Sequence, residues 1–462
     1  MSKETSPRVT VVICNYNKRD DVTLAIDSVL NSRKIRAEVI VVDNCSTDGS
    51  RDAIAARGYK NVRVLALDHN VGGAGGFRTG MEVAAASDAP YVLLLDNDAS
   101  VATDTIEGLI DALESDVSLG AVGPTILKAY APGEVQDVGG FISTARFSQF
   151  PGFNGLPICK LPKQRLYCDY LASCCLLTRR KHIEQLGGFQ SDFFIYWDDI
   201  DWCTRLAKSG YRLMVCPELK AWHKGGLQSA QSTFPTYFNI RNRLRFFLSH
   251  TDLWDFGKVV AGIKREMTEV FAGCLTKGNV GYIEAHRVGI VDGLLGRSGF
   301  PMVELPVRGI QVPTDLGIKP GESYILELDE WFKGDSSDIQ RHNPGFEFGD
   351  FYKLSRLISC IKGLKSQYPI RLLLSTASSQ PFNHHERSIL EDYVEFVEYH
   401  PVMPGIQIFR HLIDLPESFS TDSIVVDSFL NTLSSDSSKC ISRAAKLVDD
   451  CFDFDLDKRR VN

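Results

Sequence analysis

Short apolar runs alternate with segments of helical spacing through the first hundred residues of the chain. The runs are rich in β-branched residues and short enough for strands, whereas apolar residues in the intervening segments recur every three to four positions. This alternation predicts βαβ units and a mostly parallel sheet, which makes the fold class α/β. The strand-like runs are Val9 to Cys14, Glu38 to Val42, Val62 to Leu67 and Tyr91 to Leu95, and the helical segments are Asp20 to Asn31, Ser50 to Arg57 and Thr79 to Ala86.

The composition is that of a globular chain without unusual affinity for polyanions. Of the 462 residues, 44% are hydrophobic and 24% are charged, and the net charge of -7 gives no overall attraction to nucleic acid or anionic lipid. We therefore expect no nucleic-acid partner. No apolar segment reaches the ~20 residues that span a bilayer, and the segment from Met1 to Arg8 is polar, so we expect a cytoplasmic protein. The 12 scattered cysteines predict buried thiols in a reducing compartment.

A chain of this length is expected to form more than one domain. We predict a first domain over residues 1–250, a helical extension over residues 251–299 and a second α/β domain over residues 300–462. The last region has no recognisable catalytic motif, and its role stays open. Its expected strands are Ser323 to Leu328, Ile370 to Ser375, Ile406 to His411 and Ser423 to Val426, with helices over residues 350–366 and 384–399.

One apolar run, Tyr91 to Leu95, is followed by two carboxylates, Asp96 and Asp98. In an open α/β sheet, ligands bind beyond the carboxyl ends of the strands, so both acids should face a binding crevice. Two carboxylates there can hold a divalent cation such as Mg²⁺ or Mn²⁺, which can neutralise a diphosphate. The alternative is a strand-to-turn cap that binds only local amides. A histidine such as His223 is more often structural when alone, but an upstream Asp-x-Asp makes it a candidate metal ligand.

Polar side chains also follow the first two strands. Asn15 ends the first strand, and Asp43 and Asn44 end the second. Asn and Asp can pair with the polar edge of a nucleobase, and a carboxylate such as Asp43 suits an imide N–H or a ribose hydroxyl. The residues after Asn44 are also typical of a turn and helix cap. The two interpretations are compatible, with Asp43 binding a ligand and Thr47 and Asp48 serving the structure.

A glycine-rich segment, Asn70 to Gly80, follows the third strand and includes Arg78. Glycines let backbone amides approach a phosphate closely, and Arg78 adds a fixed cation. The rival interpretation is the dinucleotide loop of an NAD-dependent oxidoreductase, which fits poorly because those glycines follow the first strand of a sheet. The segment therefore predicts a phosphate contact.

Three acids lie in an aromatic cluster that runs from Phe193 to Trp202. Aromatic, partly dry surroundings raise the pKa of a carboxylate, so one of these acids could serve as a general base. Aromatic faces also suit the apolar faces of a sugar ring. Asp198 and Asp199 are the candidates for this chemistry, whereas a structural helix contact is the favoured interpretation for Asp201.

These motifs, in this order, resemble glycosyltransferase family 2, whose members have the GT-A fold and are mostly inverting enzymes. The resemblance covers residues 8–297, from Asn15-Tyr16-Asn17 through Asp96-Asn97-Asp98 and Trp197-Asp198-Asp199 to His223 and beyond. Within the family, the Gly-Gly-Ala-Gly-Gly-Phe and Trp-Asp-Asp sequences look most like those of bacterial galactofuranosyltransferases, with rhamnosyltransferases close behind. The fold that the resemblance implies is a Rossmann-like nucleotide-diphospho-sugar transferase domain.

The resemblance also implies a role for each candidate residue. Asp199 would deprotonate the acceptor hydroxyl, while Trp197 and Asp198 orient the acceptor sugar. Asp98 and His223 would bind the metal, Mn²⁺ or Mg²⁺, and the histidine favours manganese. The nucleotide sugar would contact Asn15, Asp43, Asn44, Asn70, Gly75, Arg78, Asp96 and Asn97.

The implied reaction moves galactofuranose or rhamnose from a UDP or dTDP donor to a hydroxyl of a glycan or lipid-linked glycan, in cell-surface polysaccharide synthesis. The alternative is a catalytically silent sugar-nucleotide-binding or scaffold protein, against which the retained acids argue. Homo-oligomer formation stays open. Arg241, Arg243 and Arg245 could approach a lipid diphosphate or the inner face of the membrane, or could belong to a packed helix with a solvated basic face.

Overall fold

The computed structural model describes most of the chain before residue 300 and shorter pieces after it. The described residues are 6–143, 147–225, 233–251, 256–276, 280–299, 301, 323–328, 342–343, 351–367, 371–375, 384–397, 405–409, 424–427, 444–449 and 451. The chain forms two compact units, which we call the first unit (residues 1–142, 149–228 and 298–300) and the second unit (residues 143–148, 229–297 and 301–462). The boundaries that the sequence predicts at residues 250 and 299 stay a proposal.

Strands and helices alternate along the first unit, as the sequence predicted. Its strands are β1 (Arg8–Asn15), β2 (Arg36–Asp43), β3 (Val62–Ala66), β4 (Tyr91–Asp96), β5 (Ala99–Val101), β6 (Leu119–Lys128), β7 (Ala131–Asp137), β8 (Gly140–Ser143), β9 (Ser148–Pro151), β10 (Leu166–Cys168), β11 (Cys175–Arg179) and β12 (Arg212–His223). Its α-helices are α1 (Arg19–Leu30), α2 (Ser50–Ala56), α3 (Gly72–Ala85), α4 (Thr105–Ser115), α5 (Arg180–Leu186) and α6 (Asp198–Lys208).

A mixed sheet forms the centre of the first unit. Its strands lie in the order β10-β12-β6-β11-β4-β1-β2-β3, with β5 paired to β12 and β7 paired to β6. Strands β1 to β4 are mutually parallel where they pair, and β11 runs antiparallel to both β4 and β6. The predicted parallel α/β sheet is therefore confirmed for the first four strands, and the later strands make the sheet mixed.

Strand register aligns the carboxyl ends of β1, β2 and β4. Asn15 pairs with Asp43 across β1 and β2, and Cys14 pairs with Asp96 across β1 and β4. Because these strands are parallel, their last residues share one edge of the sheet. The polar residues that the sequence places after separate strands are therefore neighbours.

The last residue of β12 reaches the same edge by a different route. The end of β12 pairs in antiparallel fashion with β5, so that His223 lies opposite Ala99. Ala99 comes directly after Asp98 in the sequence. This short pairing therefore brings His223 beside the acids that follow β4, from a position more than a hundred residues away.

Helices cover both faces of the sheet, which explains why the strands are continuously apolar rather than alternating. Ile26 of α1 and Leu109 of α4 are buried in one cluster with Val11 of β1. On the other face, α3 packs against β1 and β2, and a Cβ added to Gly80 would lie 2.2 Å from Cγ1 of Val12. Glycine therefore permits close approach of α3 to the sheet.

Helix α3 begins earlier than the sequence predicted. We expected a turn through the glycines and a helix over Thr79 to Ala86, but the helix extends from Gly72 to Ala85. Glycine has low helix propensity, so the local sequence argues against helix here. The prediction was wrong because tight packing of α3 on its neighbours outweighs that propensity.

In the second unit, three helices follow one another along the chain: α7 (Phe234–His250), α8 (Phe256–Thr276) and α9 (Val280–Leu294). Arg241 is fully buried in α7, and Arg243 is 4% exposed. The guanidinium of Arg243 forms a two-armed ion pair with Glu266, with N–O distances of 2.9 and 2.7 Å. Arg241 and Arg243 are therefore interior residues, which for these two favours the packed-helix alternative over a basic surface for a lipid or a membrane.

A five-stranded parallel sheet also lies in the second unit, in the order β15-β14-β13-β16-β17. The order runs outward from β13 in both directions, which is typical of doubly wound α/β folds. The predicted α/β character and the four predicted strands are confirmed, but the predicted helix over residues 384–399 ends at Leu390 and is followed by a strand. The elements are β13 (Ser323–Leu328), α10 (Phe351–Gln367), β14 (Arg371–Ser375), α11 (His384–Leu390), β15 (Glu395–Val397), β16 (Gly405–Phe409) and β17 (Ile424–Asp427).

A helix that spans a membrane must be both long and apolar. Crossing a bilayer takes about 20 consecutive, mainly apolar residues. Within the described residues, no helix combines the length and the hydropathy that a span needs.

Candidate active site

An acid–histidine cluster, Asp96, Asp98 and His223, lies at the sheet edge where β4 and β12 end. Nε2 of His223 lies 3.3 Å from Oδ2 of Asp96 and 3.1 Å from Oδ1 of Asp98. Ligand atoms of the three side chains lie within 4.8 Å of one another, and no second group of this kind occurs among the described residues. The structure thus brings together the two residues predicted as metal ligands and adds Asp96 to them.

Electrostatics in the cluster favour a positive charge between the two acids. Burial lowers the pKa of His223, but hydrogen bonds to Asp96 and Asp98 and their charges outweigh it and raise that pKa to about 10. Burial raises the pKa of Asp98, but its interactions with His223 and Lys18 leave it below the ordinary value. A divalent cation would be attracted by the same two carboxylates that attract the imidazole proton.

The donor set of the cluster fits a divalent cation. Carboxylate oxygens suit hard ions such as Mg²⁺ and Mn²⁺, and an imidazole nitrogen shifts the preference towards Mn²⁺. The other ring nitrogen of His223, Nδ1, lies 2.8 Å from the side-chain amide of Gln136, so the ring presents Nε2 to the acids. Asp96, Asp98 and His223 would therefore hold the ion.

Two lysines that the sequence analysis did not single out lie beside the cluster. Nζ of Lys18 is 3.6 Å from Oδ2 of Asp98 and 3.8 Å from Oδ2 of Asp21, and Lys224 also forms an ion pair with Asp21. Lys224 comes directly after His223, and Lys18 lies three residues after Asn15. These positive charges favour an anionic ligand at the cluster.

A buried hydrogen-bond network joins the ends of β1, β2 and β4. Nδ2 of Asn15 donates to Oδ1 of Asp43 at 3.0 Å and to Oγ of Ser46 at 3.2 Å, and Oδ1 of Asn15 accepts from Asn97 at 3.0 Å. Asn15 and Asp43 are fully buried, while the Arg51 side chain, 3.7 Å from Asp43, is 55% exposed. The network holds the strand ends in place, and direct contact of its members with a nucleotide stays a prediction.

Asn44 and Asn70 bind the backbone at the beginning of α3. Nδ2 of Asn44 donates to the Gly72 carbonyl at 2.8 Å, and its Oδ1 accepts the Val71 N–H at 3.2 Å. Oδ1 of Asn70 accepts the Gly72 N–H at 2.8 Å. Asn44 is only 1% exposed, and both atoms of its amide are used within the protein. Asn44 therefore fixes the start of α3, and its contact with the nucleotide stays a prediction.

The glycines of α3 bring the helix against the loop before Asp198. Gly72 has φ of +76°, and a Cβ there would lie 2.1 Å from the Phe194 carbonyl oxygen. The same oxygen accepts the Ala74 N–H at 3.0 Å. A Cβ added to Gly75 would lie 2.6 Å from Cγ2 of Val71. These glycines therefore have packing roles that the prediction of a phosphate contact did not include.

We expect Gly72→Ala to destabilise the protein by about 2 to 4 kcal/mol, because alanine would combine positive φ with a backbone clash. Urea unfolding measures the effect. Gly73→Ala is the matched control, since a Cβ on Gly73 meets nothing within 4 Å. In a helix that change should stabilise by up to about 1 kcal/mol. Equal unfolding midpoints for the two variants would contradict the packing role.

Arg78 lies farther along α3, on its outer side. Its side chain is 49% exposed, and Nε donates to Oε1 of Glu82 at 2.9 Å. Among the contacts of the described residues, none joins Arg78 to the acid–histidine cluster. Its predicted contact with the nucleotide therefore stays a prediction.

The loop that leads into α6 has a strained backbone. Phe194, Tyr196 and Trp197 have φ values of 65°, 66° and 68°, and a positive φ is costly for bulky residues. Trp197 is only 3% exposed, whereas Tyr196 is 37% exposed. The exposed aromatic ring of this loop is therefore that of Tyr196, and the role of Trp197 in orienting the acceptor sugar stays a prediction.

Asp198 and Asp199 differ in their electrostatic surroundings. Burial raises the pKa of Asp199 to about 6, the Asp96 charge adds to the rise, and amide hydrogen bonds from Ser173 and Ile200 oppose it. Burial, with the charge of Asp199, raises the pKa of Asp198 well above its ordinary value. Asp199 is therefore the more readily ionised acid of the pair at neutral pH.

Asp201 has the structural role that the sequence predicted. Its Oδ2 accepts from Nε of Arg205 at 2.8 Å, and the same guanidinium donates to the carbonyls of Leu186 and Gly188. Asp201 is 2% exposed. The ion pair therefore fixes α6 to the end of α5, and the favoured interpretation of Asp201 is confirmed.

Asp137, the last residue of β7, is a further acid near Asp199 that the sequence analysis missed. Burial and the charge of Asp199 raise its pKa to about 8. No motif surrounds Asp137 in the sequence, because it reaches this region only through the pairing of β7 with β6.

The first unit combines a mixed α/β sheet, an acid–histidine cluster beyond its strand ends and an acidic loop beside them, which is the architecture of a GT-A glycosyltransferase domain. Residues 10–185 match the model of the family described as glycosyl transferase family 2. Residues 10–185 therefore form a domain that matches this family, as the motifs predicted.

Several curated proteins resemble this chain over part of its length. The succinoglycan biosynthesis protein ExoO of Rhizobium meliloti is 34% identical over 109 residues, which are 24% of this chain and 30% of ExoO. The N-acetylglucosaminyl-diphospho-decaprenol L-rhamnosyltransferase of Mycobacterium tuberculosis is 26% identical over 46% of this chain and 75% of its own. The rhamnosyltransferase WbbL of Escherichia coli is 24% identical over 46% of this chain and 83% of its own.

Solved structures also resemble the chain. GalNAc-T7, solved with UDP, GalNAc and Mn²⁺, has a TM-score of 0.46 and 15% identity, over 58% of this chain and 52% of its own. The chain spans less than a third of ExoO and about half of GalNAc-T7, whereas it spans three quarters of the mycobacterial rhamnosyltransferase.

Proposed function

We propose that the chain is an inverting, metal-dependent hexosyltransferase of cell-surface polysaccharide synthesis. It moves a sugar, galactofuranose or rhamnose, from a nucleoside-diphosphate donor to a hydroxyl of a glycan or lipid-linked glycan. The observation that carries this proposal is the proximity of the acid–histidine cluster and Asp199: Oδ2 of Asp199 accepts the Ser173 N–H at 3.1 Å, and the carbonyl of the next residue, Cys174, accepts the Asp96 N–H at 3.3 Å. We propose that the reaction takes place in the cytoplasm or on the inner face of the cell membrane.

The donor side of the site consists of the acid–histidine cluster and the strand ends beside it. Asp96, Asp98 and His223 would hold Mn²⁺ or Mg²⁺, which would supply positive charge to neutralise the donor diphosphate. Lys18 and Lys224 add positive charge at the rim. The nucleotide lies along the crevice beyond β1 and β2, next to the remaining proposed contacts Asn15, Asp43, Asn44, Asn70, Gly75, Arg78 and Asn97.

The acceptor side is the loop that leads into α6. Asp199 takes the proton of the acceptor hydroxyl, and the oxygen of that hydroxyl forms a bond to the anomeric carbon of the donor. The bond from that carbon to the diphosphate breaks on the opposite side, and the leaving nucleoside diphosphate keeps the electron pair. One displacement therefore inverts the anomeric configuration. Asp198 and Trp197 support the loop, and Tyr196 offers its exposed ring to the acceptor sugar.

Two similar proteins support the choice of sugar and acceptor. Both the mycobacterial and the Escherichia coli relatives are named rhamnosyltransferases, and the first acts on a lipid-linked acceptor according to its name. UDP and dTDP present the same imide edge, so both are retained as donors. Galactofuranose is retained because the glycine and Trp-Asp-Asp sequences look most like those of galactofuranosyltransferases.

Calorimetric titration tests the proposal directly. The purified protein is titrated with UDP, dTDP and NAD, each with and without Mn²⁺. We expect binding of UDP or dTDP that requires Mn²⁺ and no binding of NAD. Binding of NAD alone would favour an oxidoreductase, and donor binding without transfer to any acceptor would favour the catalytically silent alternative.

The pH profile of kcat/KM gives a second test. Asp199 must be ionised to accept a proton, and its pKa is raised to about 6. We therefore expect kcat/KM to increase about tenfold per pH unit below this value and to level off above it. A bound cation would move the rising part of the kcat/KM profile to lower pH, because positive charge favours the ionised form of Asp199. A profile that is flat from about pH 4.5 to about pH 7 in the presence of Mn²⁺ would contradict the assignment of Asp199 as the base.

A further inference from the structure

Gln136 contacts the acid–histidine cluster from a strand that carries no motif. It is the next-to-last residue of β7, which is held against β6 in the sheet. Its side-chain Nε2 lies 2.8 Å from Nδ1 of His223. Gln136 therefore contacts the ring nitrogen that faces away from Asp96 and Asp98.

The imidazole of His223 presents a hydrogen on Nδ1 in two states of the site. Without a cation, the raised pKa of His223 keeps both ring nitrogens protonated, so Nε2–H donates to the two acids and Nδ1–H needs an acceptor. With a cation, Nε2 must present its lone pair, so the hydrogen is on Nδ1 and again needs an acceptor. The side-chain amide of Gln136 can supply it, because a half-turn of its terminal torsion exchanges its NH₂ donor and its oxygen acceptor. Glutamate could also accept this hydrogen, and leucine could not.

We propose that Gln136 is a positioning residue that sets the tautomer and ring orientation of His223. Its amide oxygen accepts from Nδ1–H, which directs Nε2 towards the acids and leaves the lone pair of Nε2 available when a cation is held. The inference rests on the proposed metal-dependent function and deepens it. Gln136 acts through His223 and is assigned no contact with the ion or the substrate.

Manganese binding in the absence of acceptor measures this role without turnover. Free Mn²⁺ is followed by electron paramagnetic resonance during titration of the protein with UDP present. We expect Gln136→Leu to weaken Mn²⁺ binding about 10- to 100-fold and Gln136→Glu, which keeps an acceptor, to bind at least as tightly as the unaltered protein. Gln185→Leu is the matched control, because Gln185 is exposed on α5. Unfolding midpoints check that each variant is folded.

A spectroscopic measurement separates the hydrogen bond from the added charge of Gln136→Glu. In histidine-¹⁵N-labelled protein loaded with Mg²⁺ and UDP, the resonances that disappear in His223→Ala belong to His223. We expect them to report a protonated Nδ1 and an unprotonated Nε2. The reverse pattern, or unchanged Mn²⁺ binding in Gln136→Leu, would overturn the inference and leave the proposed function standing. Failure of the unaltered protein to bind Mn²⁺ would overturn both.

Discussion

Asp199→Asn is expected to reduce kcat by about 10³-fold or more while donor binding changes little. Asparagine keeps the size of the side chain and can still accept the Ser173 N–H, but it cannot take a proton from a hydroxyl. Turnover is measured as formation of nucleoside diphosphate from the donor in the presence of acceptor. Donor affinity is measured by calorimetry with Mn²⁺. Lost turnover with intact donor affinity would separate the chemistry of Asp199 from binding and folding.

The neighbouring acid supplies a sharp comparison for this variant. The pKa of Asp198 is raised well above its ordinary value by burial, so asparagine closely matches its neutral form. We therefore expect Asp198→Asn to lose far less activity than Asp199→Asn. Asp111→Asn, on the exposed side of α4, controls for the loss of a surface charge. Near-normal kcat in Asp199→Asn, or a larger loss in Asp198→Asn, would remove Asp199 as the base.

Much of the donor side could be predicted from the sequence because one physical rule connects distant residues. Short, continuously apolar runs indicate strands buried on both faces, and parallel strands end at a common edge. The residues that follow such runs are then neighbours, although they lie far apart in the chain. Asn15, Asp43 and Asp96 meet in the structure for this reason.

Other parts of the site depend on packing that no local pattern reports. Gln136 reaches His223 only because β7 pairs with β6, and its own sequence surroundings are unremarkable. The beginning of α3 was predicted as a turn because glycine disfavours helix, yet Gly72 and its neighbours are needed where the helix approaches Phe194. The burial of Trp197 could not be predicted from the pattern of aromatic residues either, because the positive φ values of the loop decide which ring faces outward.

Asp98→Asn is expected to weaken Mn²⁺-dependent binding of UDP or dTDP by about 100-fold or more, because it removes a charged member of the acid–histidine cluster. Asp98 lies 3.1 Å from Nε2 of His223 and is only 12% exposed, so water replaces it poorly as a ligand. His223→Ala should have a similar effect, because it removes the nitrogen donor. Calorimetric titration of each variant with nucleotide, with and without Mn²⁺, measures both losses.

The control for these variants is an acid at the rim of the same site. Asp21 pairs with Lys18 and Lys224 but does not belong to the cluster, and its side chain is 15% exposed, close to the value for Asp98. Asp21→Asn removes the same charge at nearly the same place, so an effect due only to overall electrostatics would appear in both variants. Because a ligand bond requires contact, we expect Asp21→Asn to keep the Mn²⁺ requirement and to leave nucleotide affinity within about threefold. Equal losses of nucleotide affinity in Asp98→Asn and Asp21→Asn would show that Asp98 acts through charge alone. Unchanged Mn²⁺ dependence of nucleotide binding in Asp98→Asn and His223→Ala would show that the acid–histidine cluster is not the metal site.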